Sequence, residues 1–161
     1  MKKIIILLTV VIFCFMGCGS TGSNSGAKVA SFADAIGKEW KLIEVYAQTD
    51  PFHKKVIYDR EHLRKEKIEK TYTMVLTASS ISGIAAPNTY SAPYKRGQGQ
   101  EVEIQQITST KLAPIVQPEK LQEITFFGYM QKVYEWSIKD NNLILNTKNE
   151  EEMPVRLLFA L

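Results

Sequence analysis

Short stretches of alternating apolar and polar residues recur along this chain and predict a domain built mainly from β-strands. In 38–46 the apolar residues Trp40, Leu42 and Val45 alternate with charged residues. Trp40 is predicted to be a core anchor rather than a platform for a ligand. Similar patterns, separated by polar turns, predict further strands over 71–77, 101–107, 133–138, 143–146 and 155–161.

The stretch 82–114 is expected to be extended but only partly paired. It contains two Ala-Pro steps, ending at Pro87 and Pro93. A proline disfavours helix at the residue before it and has no N–H for a sheet ladder, which predicts an edge-like segment. The candidate contacts for a partner or ligand on this segment are Asn88, Tyr90 and Tyr94. The alternative role for Asn88 is structural, because an Asn after a proline often completes a turn with its own side chain.

One helix is predicted over 118–131, from Pro118 to Gln131. Proline suits the first helical position because its missing N–H needs no partner there. Apolar residues cover more than one side of this helix, so protein is expected to surround it, and Gly128 is expected to allow a strand to approach closely. The predicted fold class is α+β, mainly antiparallel β, with a curled sheet packed around this main helix.

A charged segment at 53–70 holds seven Lys/Arg and four Asp/Glu. Asp59 can cap a short charged helix near 60–68. His62 and Glu66 share one face of that helix, as two metal ligands would, but a metal site needs at least a third ligand. A solvated helix is therefore the favoured interpretation, and no metal site is predicted. Contact of the segment with anionic headgroups or polyanionic envelope polymers is an open alternative.

The first residues have the composition of a secretory signal peptide. Two lysines precede an apolar run over 4–17 that is too short to span a bilayer comfortably. The run ends Phe-Met-Gly-Cys, which resembles the lipobox of bacterial lipoproteins. That resemblance implies cleavage after Gly17 and a diacylglycerol thioether on Cys18. The alternative is an ordinary secreted protein cut near 17–20.

Three segments are thus predicted. Residues 1–17 are the signal peptide, 18–36 are the lipidated cysteine with a flexible Gly/Ser tether, and 37–161 are a β-rich domain. Both cysteines of the 161-residue chain lie at or before Cys18, so the folded domain is predicted to have no thiol and no disulfide. Removal of the two leader lysines reduces the 20 basic residues to 18, against 17 acidic ones. This balance does not suggest nucleic acid as a partner.

The order of these motifs resembles the META-domain family, also called HslJ-like, which occurs in bacterial heat-shock-related and envelope lipoproteins. The resemblance spans 37–161 and is carried by several short motifs. They are Trp40 with Leu42, the Ser82-Gly83 step, Asn88 with Tyr90 and Tyr94, Thr110 with Leu112 and Ala113, and Tyr134, Ile138 and 143–145 after the helix. Pro87 and Pro114 stand where the family often has cysteines, and Ala92 replaces a glycine.

The resemblance implies a mostly antiparallel β-fold with one helix, no cofactor, and a role in stress tolerance, antibiotic tolerance or secretion. We expect a non-enzymatic protein of the bacterial cell envelope, anchored through acylated Cys18 to the outer membrane or to the outer face of the inner membrane. Its expected partner is an envelope protein. The alternative is a small apolar or lipid ligand in the concavity of the sheet, lined by Tyr90, Tyr94, Phe126, Phe127 and Trp136.

Common catalytic signatures do not support an enzyme. The sequence has no G-x-S-x-G, H-E-x-x-H, P-loop or dinucleotide-binding motif, and both histidines lie in the charged segment. A hydrolase that uses Ser80 or Ser82 with His62 is the remaining enzymatic hypothesis, and the spacing of these residues does not favour it.

Overall fold

The computed structural model describes residues 31–50, 52–112 and 118–161, which form a curled antiparallel sheet with two α-helices. The predicted signal peptide, Cys18 and the tether up to residue 30 lie outside the described residues, as do Ala113 and Pro114. Within the described parts of the chain, no helix is long and apolar enough to cross a membrane.

Ten strands make up the sheet. They are β1 (Glu39–Gln48), β2 (Lys54–Asp59), β3 (Thr73–Leu76), β4 (Ser80–Ile84), β5 (Thr89–Arg96), β6 (Val102–Ile104), β7 (Thr108–Ser109), β8 (Glu135–Lys139), β9 (Asn142–Lys148) and β10 (Pro154–Ala160). The helices are α1 (Arg60–Lys65) and α2 (Glu123–Gln131), and a short 3-10 helix at Phe32–Ala35 precedes β1. The strand order is β6-β5-β4-β3-β1-β10-β9-β8, with β2 also paired to β1 and β7 to β5. The predicted α+β, mainly antiparallel class is confirmed.

The sheet curls until its two ends touch. Glu101, just before β6, forms an antiparallel β-bridge with Glu135 at the start of β8. Beside this bridge the backbone N–H of Trp136 donates to Gln100 O at 2.9 Å. The inward-facing side chains of the strands therefore share one interior. That core includes Trp40, Leu42, Tyr58, Tyr72, Met74, Tyr90, Phe126, Met130, Leu143, Leu157 and Phe159.

The local sequence accounts for β1. Trp40 and Leu42 are buried and the residue between them is exposed, as expected for a strand with one face in the core. A β-bulge between Leu42 and Glu44 adds one residue in the pairing with β10, so the following Val45 returns to the interior. The Trp40 indole N–H donates to Ala35 O at 2.9 Å. This confirms Trp40 as a core anchor and ties the 3-10 helix to the sheet.

The packed domain takes in residues before the predicted boundary. Ser31 caps the 3-10 helix, and Phe32 is only 2 % exposed. The Phe32 ring lies against the rings of Tyr94 and Trp136, with centroids 5.5 and 4.8 Å away. Residues 31–36 therefore pack as part of the domain, with a 3-10 helix at Phe32–Ala35.

The prediction of an edge-like segment is wrong for β5. This strand pairs with β4 on one side and with β6 and β7 on the other. Pro93 is tolerated because it faces the gap between β6 and β7, where its missing N–H breaks no ladder. Its carbonyl accepts from Gln105 N at 2.8 Å within that gap.

Helix α2 starts at Glu123 rather than at Pro118. Gln122 before it is extended, and the carbonyl of Leu121 accepts a hydrogen bond from the Tyr72 hydroxyl instead of joining a helical ladder. The helix is also less enclosed than predicted. Phe126 and Met130 are buried, but Ile124 is 77 % exposed, so one side of α2 faces solvent.

The charged segment contains a strand that the sequence analysis missed. β2 pairs with β1 and with no other strand of the described chain, and its lysines obscure the alternation that would reveal it. The predicted short helix follows as α1. Asp59 Oδ1 caps it by accepting from Glu61 N at 3.0 Å, and Leu63 is buried.

Gly128 does not make the close approach predicted for it, because a Cβ atom at this position would have no neighbour within 4 Å. Gly128→Ala is therefore expected to raise the free energy of unfolding by about 0.5–1 kcal/mol, since alanine restricts the unfolded chain and favours helix. Urea denaturation at constant pH measures the change.

Gly83→Ala is the matched control. A Cβ atom at Gly83 would overlap the carbonyl oxygen of Thr73 in the adjacent strand, so this variant is expected to be strongly destabilised. A loss of stability in Gly128→Ala would instead mean that α2 packs more tightly at this position than the structure shows.

Candidate functional site

The three candidate contact residues are buried at β5 and the turn before it. The Tyr90 hydroxyl donates to Thr73 O at 2.9 Å, and the Tyr94 hydroxyl donates to Thr77 O at 2.7 Å. Burial raises the pKa of Tyr90, so its phenol stays neutral and acts as a donor. Both hydroxyls are thus bound to the backbone of β3 and the turn that follows it, and neither tyrosine offers an exposed contact.

Asn88 uses every hydrogen-bonding position of its side chain within the domain. Its Oδ1 accepts from Thr110 Oγ1 at 2.8 Å and from Leu112 N at 2.7 Å. Its Nδ2 donates to Glu123 Oε2 at 2.8 Å and to Leu112 O at 3.4 Å. A primary amide has two donor hydrogens and two acceptor lone pairs, so nothing remains for a partner. We call these four residues the Asn88–Glu123 junction.

Glu123 is the residue of this junction that the sequence analysis missed. It is the first residue of α2 and is 7 % exposed. A carboxylate at this position is stabilised by the helix dipole as well as by Asn88. Its Oε1 is buried and has no hydrogen-bond partner among the described residues. The signal in the sequence was a glutamate within a largely apolar stretch, but the predicted start at Pro118 placed it inside the helix.

Tyr72 adds a second polar contact at the start of α2, through its hydrogen bond to Leu121 O. Burial raises the pKa of Tyr72, and the nearby Tyr58 hydroxyl and Glu123 carboxylate raise it further. Tyr72 therefore stays protonated as a donor. The N-terminal end of α2 is attached to the sheet by two polar contacts, one from the β4–β5 turn and one from the residue before β3.

The aromatic residues predicted to line an apolar pocket pack against one another. The Tyr90 ring lies 5.7 Å from Phe126 and 5.6 Å from Phe127, and those two rings are 5.9 Å apart. Tyr94 and Trp136 both lie against Phe32, as described above. Rings at these separations are in contact, so these residues make up the core and the geometry gives an apolar ligand no space between them.

A charged depression of about 670 Å³ lies on the outer face of the sheet beside α1. Its charged lining residues are Glu39, Lys41, Arg60, Glu61, Arg64, Glu69 and Lys70. Arg60 is occupied, because its guanidinium donates to the carbonyls of Leu42 and Glu69. Arg64 lies 3.3 Å from Glu61. Acidic and basic side chains both line this depression, so it does not present a uniform charge to a ligand.

His62 and Ser80 of the hydrolase hypothesis have separate local partners. His62 Nδ1 lies 3.1 Å from Asp59 Oδ1, and Ser80 Oγ bonds Thr77 Oγ1 at 2.8 Å in the β3–β4 turn. In the parts of the chain that the structure describes, no group of three or more His, Cys, Asp or Glu side chains could hold a metal ion. The geometry gives the hydrolase hypothesis no support.

The fold is that of a small α+β domain with a curled sheet. A family model for the META domain matches residues 33–157. The chain therefore belongs to the META-domain family, which confirms the resemblance found in the sequence.

Two solved structures share the fold. A protein from Burkholderia xenovorans, solved by NMR, is 13% identical with a TM-score of 0.54, and the match covers 80% of this chain and 83% of that one. A DUF4847 family protein from Bacteroides vulgatus, solved by crystallography, is 15% identical with a TM-score of 0.53, over 80% and 94% of the two chains. At these identities the likeness shows the fold alone. No curated protein matches the chain.

Asn88→Ala is expected to lower the free energy of unfolding by about 2–4 kcal/mol, because it leaves the buried Glu123 carboxylate and the Leu112 N–H without their partner. Thermal and urea unfolding measure the loss. The exposed Gln106 provides a control, and Gln106→Ala is expected to change stability by less than about 0.5 kcal/mol. An unchanged melting temperature in Asn88→Ala would contradict the structural role of the junction.

Proposed function

We propose that this META-domain chain is a lipid-anchored protein of the bacterial cell envelope that acts by binding a partner and not by catalysis. The observation that carries the proposal is the pattern of the first residues, in which two lysines precede an apolar run that ends at Gly17-Cys18 and a Gly/Ser-rich stretch follows. Phe32, near the start of the described residues, is already buried in the domain.

The anchor sets where the domain acts. A diacylglycerol on Cys18 buries two acyl chains, which is enough for durable attachment, whereas one chain binds only marginally. The Gly/Ser-rich composition of 19–26 is typical of linkers that let a domain turn relative to its anchor. The folded domain is therefore held close to the membrane surface but can rotate relative to it.

Partner binding is favoured over catalysis because the candidate polar side chains already have partners within the domain. Asn88, Tyr90 and Tyr94 hold the fold together, and His62 is paired with the residue that caps α1. An envelope protein is the proposed partner, and a role in stress tolerance is the proposed biological setting, as the family resemblance implies. The alternative of an apolar ligand inside the sheet has less support because aromatic rings occupy that space.

Cys18→Ser tests the anchor. In a bacterial host fed an alkyne-tagged palmitate, the original chain is expected to incorporate the tag and to yield an N-terminal peptide that begins at acylated Cys18. Cys18→Ser is expected to lose the tag and to retain its leader. Cys14→Ser is the matched control and is expected to remain acylated. Acylation that persists in Cys18→Ser, or an original chain cut elsewhere without lipid, would contradict the proposal.

Partner binding is tested separately by crosslinking in intact cells, followed by affinity purification of the acylated chain. We expect a defined envelope protein that is recovered with the acylated chain and is lost with Cys18→Ser. Equal recovery from both chains would contradict an interaction made at the membrane.

A further inference from the structure

A surface depression separates the exposed side of α2 from the turn between β9 and β10. It has a volume of about 360 Å³, and Ile124, Gly128 and Tyr129 line it on the helix side. Ile124 is 77 % exposed, so most of this large apolar side chain is open to solvent. The helix side of the depression is therefore an apolar floor.

Gly128 lies one helical turn after Ile124 in this floor. Glycine in the interior of a helix costs about 1 kcal/mol relative to alanine, and no atom of the described chain would lie within 4 Å of a Cβ placed there. The packing of the domain therefore does not require glycine at this position. Its effect is to leave the helix backbone uncovered, where a side chain of another molecule can approach it closely.

The opposite wall of the depression is an ordered turn. Asn149 N donates to Met153 O at 3.0 Å, and Met153 N donates to Asn149 Oδ1 at 2.8 Å. Lys132, just after α2, donates to Asn149 O at 3.0 Å and to Glu152 Oε1 at 2.8 Å. These bonds attach the turn to the end of the helix, so the depression is formed before anything binds.

Negative charge is left unpaired on this wall. Glu150 and Glu151 are exposed, and neither has a cation of the described chain within 4.0 Å. The neighbouring Glu152 is bound by Lys132 at 2.8 Å and by Lys148 at 3.1 Å. The two lysines are thus occupied by the third glutamate, and the two free carboxylates lie beside the apolar floor.

We propose that this depression is the docking site for a basic amphipathic segment of a partner protein. An apolar side chain of the segment packs on Ile124 and Gly128, and a lysine or arginine beside it pairs with Glu150 or Glu151. The inference rests on the proposed function, because it assigns a surface and a partner chemistry to the binding role of the domain.

The chemistry of the depression favours this occupant. A groove beside an exposed helix is a common recognition surface for an amphipathic segment, whose apolar side chains fill the floor. Positive charge on the segment complements the two unpaired glutamates and gives the contact a preferred partner and orientation. A small apolar ligand would leave those carboxylates without a counter-charge.

The position of the depression also suits a protein partner. The 3-10 helix that precedes β1 lies near the start of that strand, because Ala35 O accepts from the Trp40 indole. The β9–β10 turn lies beside the opposite end of β1, since Ala47 pairs with Val155. The ten residues of β1 span roughly 30 Å. The turn is therefore far from the end at which the predicted anchor joins the domain.

Photo-crosslinking in intact cells tests the site on the full-length chain. The crosslinking residue p-benzoylphenylalanine replaces Thr125, which lines the depression, and in a second chain it replaces the exposed Lys139 at the end of β8. We expect one defined protein to be crosslinked from position 125 and not from position 139, through a segment of net positive charge. A crosslink to a second copy of the chain, to an acidic segment or to no protein would overturn the proposal.

Matched charge variants test the pairing. Glu150→Lys with Glu151→Lys is expected to lower the yield of the crosslink from position 125 by about tenfold, because attraction becomes repulsion. Glu39→Lys with Glu69→Lys makes the same change of charge at the depression beside α1 and is expected to leave the yield unchanged. Glutamate in place of the captured lysine or arginine of the partner is expected to restore the yield in the first variant. Equal losses from the two pairs, or no restoration, would overturn the proposed pairing.

Gly128→Leu tests the floor. The new side chain fills the depression but meets no described atom near its Cβ, so urea unfolding is expected to show no loss of stability. The yield from position 125 is nevertheless expected to fall by about tenfold, because the apolar side chain of the partner loses its place. An unchanged yield would overturn the assignment of this floor.

Failure of the docking site is distinguished from failure of the proposed function. The crosslinking that tests partner binding reports whether the acylated chain has an envelope partner at all. A partner that is recovered there but is not crosslinked from position 125 would overturn the docking site and leave the proposed function in place. Recovery of no partner in either experiment would overturn both.

Discussion

A buried hydrogen bond between Asn88 and Glu123 is the contact on which the arrangement of sheet and helix depends. Asn88 lies in the turn between β4 and β5, and Glu123 begins α2. A buried carboxylate is costly unless it is hydrogen-bonded, and removal of one partner leaves the other desolvated. The turn, the strand end at Thr110 and Leu112, and the start of α2 are therefore held as one unit. Around this unit the curled sheet closes over its aromatic core.

The local pattern of the sequence was sufficient for much of the fold. β1, β8, β9 and β10 each have one face in the core, so alternation reveals them directly, and Asp59 marks the start of α1 by its capping chemistry. The missed features depend on distant contacts. β5 is an interior strand only because Pro93 falls opposite a gap between two other strands. The start of α2 depends on Tyr72, whose hydroxyl donates a hydrogen bond to the carbonyl of Leu121.

The sequence indicated which residues of the candidate site matter, but it did not show that their role is structural. An Asn after a proline, with two tyrosines in the next strand, indicates polar groups that need partners, and local sequence does not show where those partners lie. Asn88 donates to Glu123, 35 residues away along the chain, and the two tyrosines donate to the backbone of β3 and of the turn after it. These polar groups are satisfied inside the domain.

The most direct test of this account is a double-mutant cycle on stability with Asn88→Ala, Glu123→Ala and the combined variant. If the two side chains form one buried interaction, the combined loss will be smaller than the sum of the single losses, by about 1.5–3 kcal/mol. Losses that add to within about 0.5 kcal/mol would contradict the claim that this contact joins the helix to the sheet.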